Sequence, residues 1–480
     1  MKKRFLPSRP YTATLGILIL LGTAGGARAD ALDELMQSLK AKGVISEADY
    51  QRISAARDAD KKASAPASAN SAATGNAKPA TAVSNVDPGN TAQLAGRIQV
   101  DYRTYSNKAD TSTFEMRRVY FGVKGKLWND FKYDITGHLN DTVGNGGNGA
   151  LEDAWLELPG NKQATLKIGQ FYTPLGLDDA NSSKYTDFME RAAIVNQSQS
   201  SNDSPDKGAM LYGEPVNGIS YWLAYTNGSS LNVVNTNTAG GKETLMRGVV
   251  NFAKLFDQKD AVYHLGFGRA SGRKPADLSA SPEIGRIRTE GRSWNFRPMK
   301  FTGIDNNYDR KRQDIELAAA YGPFKLQSEI IFENYSGTTL GGIGYDKTVR
   351  GQYANFMWMI TGEKYADNYG GGSFGNTRPS RNFDLRSGGW GAWEVGLRFS
   401  RLDAGDLDST APVGVLKNAA GFTSGMKETT LGLKWIMNPN ARMMFNYVNA
   451  KYDQPTSGSV AGLAPVSSDR AYMMRGQVDF

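Results

Sequence analysis

The residues of this 480-residue chain best suited to chemistry are cations in two settings: a doubled arginine, Arg117-Arg118, and a lysine between hydroxyls, Ser182-Ser183-Lys184-Tyr185. A guanidinium offers paired N–H donors to phosphate or carboxylate oxygens, and an ammonium acts as a compact point charge. Both types hold anions. Further cations recur with a period of two along early segments: Arg97, Arg103, Arg118, Lys124, Lys126, Lys132 and Lys167. Arg286-Ile287-Arg288 repeats that spacing later, in a tract from 271 to 312 that is rich in Arg and Lys. Asp101, Asp134, Asp153 and Glu157 fall on the same faces as the early cations, so a mixed-charge surface is the competing reading.

Covalent and metal chemistry have little to work with. There is no cysteine, and the two histidines are His138 and His264. This excludes a thiolate nucleophile, a disulfide framework and a Cys/His metal cluster. Gly370-Gly371-Gly372-Ser373-Phe374-Gly375 fits G-x-G-x-x-G, but no helical pattern follows it, so no dinucleotide site is expected. No nucleophile, base and orienting group come together. The chain is therefore not expected to be an enzyme, and no cofactor or metal is implied.

What must position the cations is a set of strands. From Gln93 to Phe480 apolar and polar residues alternate. Leu94, Gly96, Ile98, Val100 and Tyr102 share one face; Arg97, Gln99, Asp101 and Arg103 share the other. The same alternation recurs in Val119 to Leu127, Phe324 to Phe332, Trp393 to Phe399 and Tyr472 to Phe480. The segments are about ten residues long, enough for a tilted strand to cross a bilayer. Aromatics cluster near their ends, as interfacial girdles do. Sixteen such segments are expected, near 94–105, 113–127, 131–140, 150–158, 164–171, 208–214, 219–227, 245–252, 261–270, 313–321, 324–335, 348–360, 391–401, 427–436, 441–451 and 470–480. Short turns such as Trp128-Asn129-Asp130 and Gly322-Pro323 largely alternate with long loops at 172–207, 271–312, 402–426 and 452–469. This is the rhythm of an outer-membrane barrel with short periplasmic turns and long external loops. The tract 361–390 departs from it, being long on the periplasmic side.

The expected fold is thus all-β: a 16-stranded antiparallel transmembrane β-barrel with an aqueous lumen. Projected onto it, the basic rows line the lumen and attract anions, as rings of Arg or Lys do in anion pores. Arg117 lies on the opposite parity to Arg118; either it snorkels or a bulge turns it inward. Loop 172–207 is long enough to fold into the lumen as a constriction carrying Lys184.

Ahead of the barrel, residues 1–29 read as a cleavable signal peptide, with Lys2, Lys3, Arg4 and Arg9, an apolar core from Leu15 to Leu21, and Ala27-Arg28-Ala29. That segment holds five of the 56 basic residues and none of the 48 acidic ones, so the remainder carries an excess of only three. No nucleic-acid partner is expected from so small a charge. Residues 30–57 read as a short periplasmic helical segment, and the Ala, Ser and Pro-rich stretch 58–92 as a disordered linker. The barrel domain is 93–480.

The barrel tract resembles the phosphate-selective porins, the porin O and P family. The resemblance rests on Gly96-Arg97-Ile98-Gln99-Val100-Asp101-Tyr102, Arg117-Arg118-Val119-Tyr120-Phe121, Asp130-Phe131-Lys132-Tyr133, Lys167-Ile168-Gly169-Gln170-Phe171 and Ser182-Ser183-Lys184. Glu190-Arg191, Thr361-Gly362-Glu363, Gly391-Ala392-Trp393-Glu394 and Leu431-Gly432-Leu433-Lys434-Trp435 continue the ordered set. The resemblance implies a homotrimer of barrels with arginine ladders leading to a phosphate-holding constriction. It places the double arginine on Arg117 and Arg118, the constriction lysine on Lys184 and the acidic partner on Glu152 or Asp153. The loop arginines fall on Arg286 and Arg288, and the constriction aromatics on Tyr120 and Tyr172. Lys132 joins them from the basic lumen face.

The function expected is passive diffusion of phosphate or other small anions across the outer membrane. The partners are outer-membrane lipid, the permeating anion, two further copies of the chain, and the assembly machinery that engages the last strand ending at Phe480. A general or sugar-preferring pore is the alternative within the class. A structural or adhesive envelope protein, tethered through residues 30–57, is the alternative outside it.

Overall fold

The computed structural model describes residues 82–83, 89–106, 112–139, 150–196, 198, 205–228, 241–275, 288–293, 300–301, 307–338, 341–408, 416–417, 423–456 and 464–480. The expected signal peptide and helical segment lie outside these, as does most of the linker. At the linker's end, Ala82–Val83 pair antiparallel with Ala92 and Gln93, so strand pairing begins ahead of 93.

Sixteen long strands form one antiparallel sheet in chain order. They are β1 (Thr91–Tyr105), β2 (Thr113–Leu127), β3 (Phe131–His138), β4 (Ala150–Glu157), β5 (Thr165–Phe171), β6 (Asp206–Val216), β7 (Ile219–Thr226) and β8 (Glu243–Asn251). The second half is β9 (Ala261–Pro275), β10 (Asn307–Tyr321), β11 (Phe324–Thr338), β12 (Gly344–Met359), β13 (Ala392–Asp403), β14 (Gly425–Asn438), β15 (Ala441–Thr456) and β16 (Val466–Asp479). β16 returns to β1 with Arg97 opposite Asp479 and Tyr105 opposite Ala471, which closes the barrel and leaves no edge.

The burial pattern is inverted relative to a water-soluble protein. Fully buried side chains include Arg247, Arg312, Arg398 and Arg475, all facing inward, while Ile135, Leu223, Phe356 and Leu431 are exposed on the outside. Alternation produces this because its apolar half meets lipid and its polar half fills the lumen. Stacked aromatics mark the short-turn end of the apolar belt: Trp393 on Trp435 at 5.3 Å and Phe324 on Trp358 at 6.1 Å.

The strands match the sequence reading in number and order but run further at the long-loop end. β9 continues to Pro275, β10 starts at Asn307 and β15 reaches Thr456. Beyond the bilayer both faces are polar, so the ladder continues where alternation stops signalling it. The basic triplet Arg310-Lys311-Arg312 is therefore strand, with Arg310 and Arg312 buried inward.

The tract 361–390 is not a spare loop. Its 3-10 turn Tyr365–Asn368 and the two-residue strands at Tyr369–Gly370 and Ser373–Phe374 fold back on the barrel. Tyr365 and Phe374 are buried with Leu177 and Phe188 of the loop after β5. The glycine-rich motif here makes a tight hairpin, with Gly371 and Gly372 at φ 58° and 72°.

Candidate anion-binding constriction

Two β-bulges resolve the parity questions left by the sequence. Between β1 and β2, Gln99 faces Arg118 and Val100 faces Met116, so Arg117 is the extra residue. It turns inward beside Arg118. Between β3 and β4, Thr136 faces Asp153 and Gly137 faces Leu151, so Glu152 is the extra residue. Both acids line the lumen, and no choice between them is needed.

The loop after β5 crosses the lumen and is fixed to the opposite wall. The backbone N–H groups of Leu177 and Asp178 donate to Glu329 on β11 at 2.7 and 3.0 Å. Arg191 donates to the carbonyls of Asp178 and Asn181 at 3.0 and 2.7 Å, clamping the helical turn Leu177–Ala180. Arg398 and Arg475 donate to the carbonyls of Glu190 and Met189. Ala192 to Val195 pack with Ile331, Tyr353 and Leu402 in an apolar cluster. At Gly268 on β9 the chain comes so close that a Cβ would lie 2.1 Å from the Leu175 carbonyl oxygen.

These anchors leave the loop tip facing β1 to β5. There Arg97 Nη1 donates to Ser183 Oγ at 2.6 Å, and Gln99 and Gln477 donate to the carbonyls of Ser183 and Lys184. The gap is a cavity of about 390 Å³, lined by Arg97, Lys124, Lys167, Lys184 and Arg191 with Asp134, Glu152, Asp153 and Asp179. At ~30 Å³ each it has room for on the order of a dozen waters, enough for a partly hydrated small anion. Glu152 accepts a hydrogen bond from the Tyr120 hydroxyl at 3.0 Å and another from Tyr172. Two of its acceptor positions are thereby taken. Arg97 also sits 4.1 Å over the Tyr120 ring.

Burial first, then repulsion from Arg97, Lys124 and Arg442, holds the Lys184 ammonium below its usual range, with Asp479 opposing. Burial pushes the Asp179 carboxyl up to about 6, against Arg191 and Arg312. Burial also opposes charge on Glu190, but Arg117, Arg292 and Arg475 outweigh it and hold that carboxyl well below the ordinary value.

Above the cavity, toward the long-loop end, the cations converge on Glu190. Arg117 reaches it with two hydrogen bonds, at 2.9 and 3.1 Å. Arg475 lies at 3.0 Å, Arg103 at 3.6 Å and Arg292 at 3.7 Å. Arg118 donates to Gln99 at 3.1 Å, which places it between this cluster and Arg97. Residues 288–293 turn inward: the Glu290 N–H donates to Glu428, and the Gly291 carbonyl accepts from Tyr105. Burial, with Arg117 nearby, lowers the Arg288 guanidinium to about 10.

Of the residues singled out from sequence, Tyr120, Glu152, Asp153, Tyr172 and Lys184 meet at the cavity. Arg117, Arg118 and Arg288 belong to the approach above it. Lys132 does not join them: it opens β3 near the short turns and pairs with Glu157 at 2.7 Å. Arg286 lies outside the described residues. Arg97, Lys124 and Lys167 were legible as lumen cations but not as cavity residues, because only the folded loop brings the tip to them. Arg475 is legible as a polar-face residue of the last strand and Arg292 as one cation of a basic loop, but their meeting at Glu190 is not, because only closure and the folded loops bring them there.

Residues 92–480 match the family described as phosphate-selective porin O and P. Among curated proteins no sequence matches the chain significantly. Solved structures similar in fold include OmpT of Vibrio cholerae, at 11% identity over 82% of this chain and 98% of that one, with a TM-score of 0.49. The anion-selective porin from Comamonas acidovorans shows 12% identity over 82% and 100%, with a TM-score of 0.49. The outer-membrane channel DcaP of Acinetobacter baumannii shows 9% identity over 82% and 98%, with a TM-score of 0.47.

Proposed function

Because the chain belongs to the phosphate-selective porin O and P family, it is an outer-membrane porin, and we propose that phosphate and related small anions are its permeants. The observation that carries this reading is the cation path from Arg288 and Arg103 through Arg118 and Arg97 to Lys184. Spaced cations draw an anion inward, and sharing it among several weak sites lets it leave again. At the cavity, Arg97 and Lys184 supply donors to phosphate oxygens. Glu152 and Asp153 supply acceptors, which a phosphate bearing a proton can use and sulfate at neutral pH cannot. Tyr120 and Tyr172 orient Glu152 for that task.

The same reading takes the protein as a homotrimer, exported by removal of residues 1–29. It is inserted by the assembly machinery through β16 and the Phe480 that follows it, which is exposed on the barrel.

The test is chloride conductance of the purified protein in a planar bilayer, titrated with phosphate and separately with sulfate. Block by phosphate at lower concentration than by sulfate is expected, with reversal potentials on the anion side. Equal block would leave a general anion pore, and cation preference would reject the reading.

A further inference from the structure

Above the apolar belt on β13, β14 and β15, three cations stand side by side on the outside of the barrel. Arg401 faces Lys427 across one strand pair, and Lys427 faces Lys451 across the next. Arg470 on β16 lies one step nearer the bilayer, opposite Asn449. All four are exposed. Adjacent strands are ~4.8 Å apart, and like charges directly opposite one another destabilise a sheet. Asp403, 3.8 Å from Arg401, is shared with Arg350 and so leaves most of this charge uncompensated.

The depth of the row says what neutralises it. Below it come Phe399 and Thr429, then Leu397, Leu431, Tyr447 and Tyr472, then the Trp393–Trp435 stack. From Trp393 to Arg401 the strand runs roughly 26 Å, which is about 20 Å along the membrane normal at a tilt of ~40°, against an apolar band of about 25 Å. The long Arg and Lys side chains span the remaining few ångströms and carry their charges to the headgroup level of the external leaflet. Beside them an outward cavity of about 580 Å³ is bounded by Ile330, Gln352, Phe399, Arg401, Lys427 and Lys451. Its charged rim meets the headgroup, and its apolar floor meets the acyl chains.

We propose that this groove is a binding site for a phosphorylated lipid headgroup of the external leaflet. The lipid phosphate bridges Arg401, Lys427 and Lys451, and an acyl chain lies over Phe399 and Ile330. The site is independent of the lumen path, since these side chains face away from it.

The test uses native mass spectrometry of the purified full-length protein in detergent, titrated with lipid A bearing its phosphates, with dephosphorylated lipid A, and with inorganic phosphate. The wild-type protein is expected to retain phosphorylated lipid A at least tenfold better than the dephosphorylated form. Inorganic phosphate at matched concentration should not displace it. The triple variant Arg401→Gln, Lys427→Gln, Lys451→Gln should lose that preference while keeping its conductance. Equal retention by the variant, equal binding of the dephosphorylated lipid, or displacement by inorganic phosphate overturns the proposal. So does a shift of the variant from oligomer to monomer, which would mean that the row faces a second copy of the chain. If the triple variant fails to fold, Lys427→Gln alone carries the test. A several-fold loss of phosphorylated lipid supports the site, and unchanged retention overturns it.

Discussion

Arg117, the extra residue of a bulge in β2, forms two hydrogen bonds with Glu190 of the lumen loop, at 2.9 and 3.1 Å. One added residue in one strand thus both supplies a lumen cation and ties the loop to the barrel wall.

Glu190 offsets the guanidinium groups of Arg103, Arg117, Arg292 and Arg475. In Glu190→Gln the approach gains about one net positive charge. The ratio of anion to cation permeability should rise severalfold, read from reversal potentials in a salt gradient. An unchanged ratio would show that this cluster is remote from the ion path. Arg117→Ala removes the paired charge instead, and should lower the ratio.

Lys184 offers a charged donor at the cavity. Such bonds contribute about 1.5–3 kcal/mol, so Lys184→Ala should weaken phosphate block at least tenfold, with the barrel still folded by heat-modifiability. Since burial lowers the Lys184 pKa, its part in the block should fade at a pH below that of an ordinary lysine. Lys184→Arg should hold the block to higher pH. Block that is identical in all three proteins across the titration would remove Lys184 from the site.

Asp179 lines the cavity with its carboxyl raised to about 6. It is charged above that pH and neutral below it. As pH falls through about 6 the cavity loses a negative charge, so chloride selectivity should rise. Asp179→Asn should be more selective at pH 8 and should lack the step. A step of equal size in the variant would assign the titration to another group.

Gly268 has no room for a side chain beneath the Leu175 carbonyl. Gly268→Ala forces the loop backbone away at a cost of about 1–3 kcal/mol. Single-channel conductance should become noisier and phosphate block weaker, while the β-signature in circular dichroism stays the same. Recordings indistinguishable from wild type would mean that the loop does not set the constriction.

Much of this molecule is legible in its sequence because the bilayer imposes a period of two on every strand. That period puts Arg97, Arg118 and Lys124 on one face without any knowledge of tertiary structure. It fails in three places for three physical reasons. At Arg117 and Glu152 a bulge shifts the parity, and a bulge leaves no mark in residue type. At Arg310 and Arg312 the strand has left the membrane, so alternation no longer reports it. At Arg292 and Arg475 the decisive fact is that Glu190 of the lumen loop lies against them, a distance that exists only after closure, while Lys132 is taken up by Glu157 on the neighbouring strand. The tract 361–390 is the same lesson in reverse: its length looks misplaced until Tyr365 and Phe374 are seen packed with Leu177 and Phe188.

Ser183 and Lys184 are held by Arg97 and Gln99 of the first strand and by Gln477 of the last. The loop tip that covers the cavity is thus held from both sides of the seam where the barrel closes. A chain that has formed every hairpin but not joined its ends lacks the Gln477 anchor, so the tip gains its last support in the closing step. If an anion binds under the tip as proposed, it also stabilises the joined state by mass action.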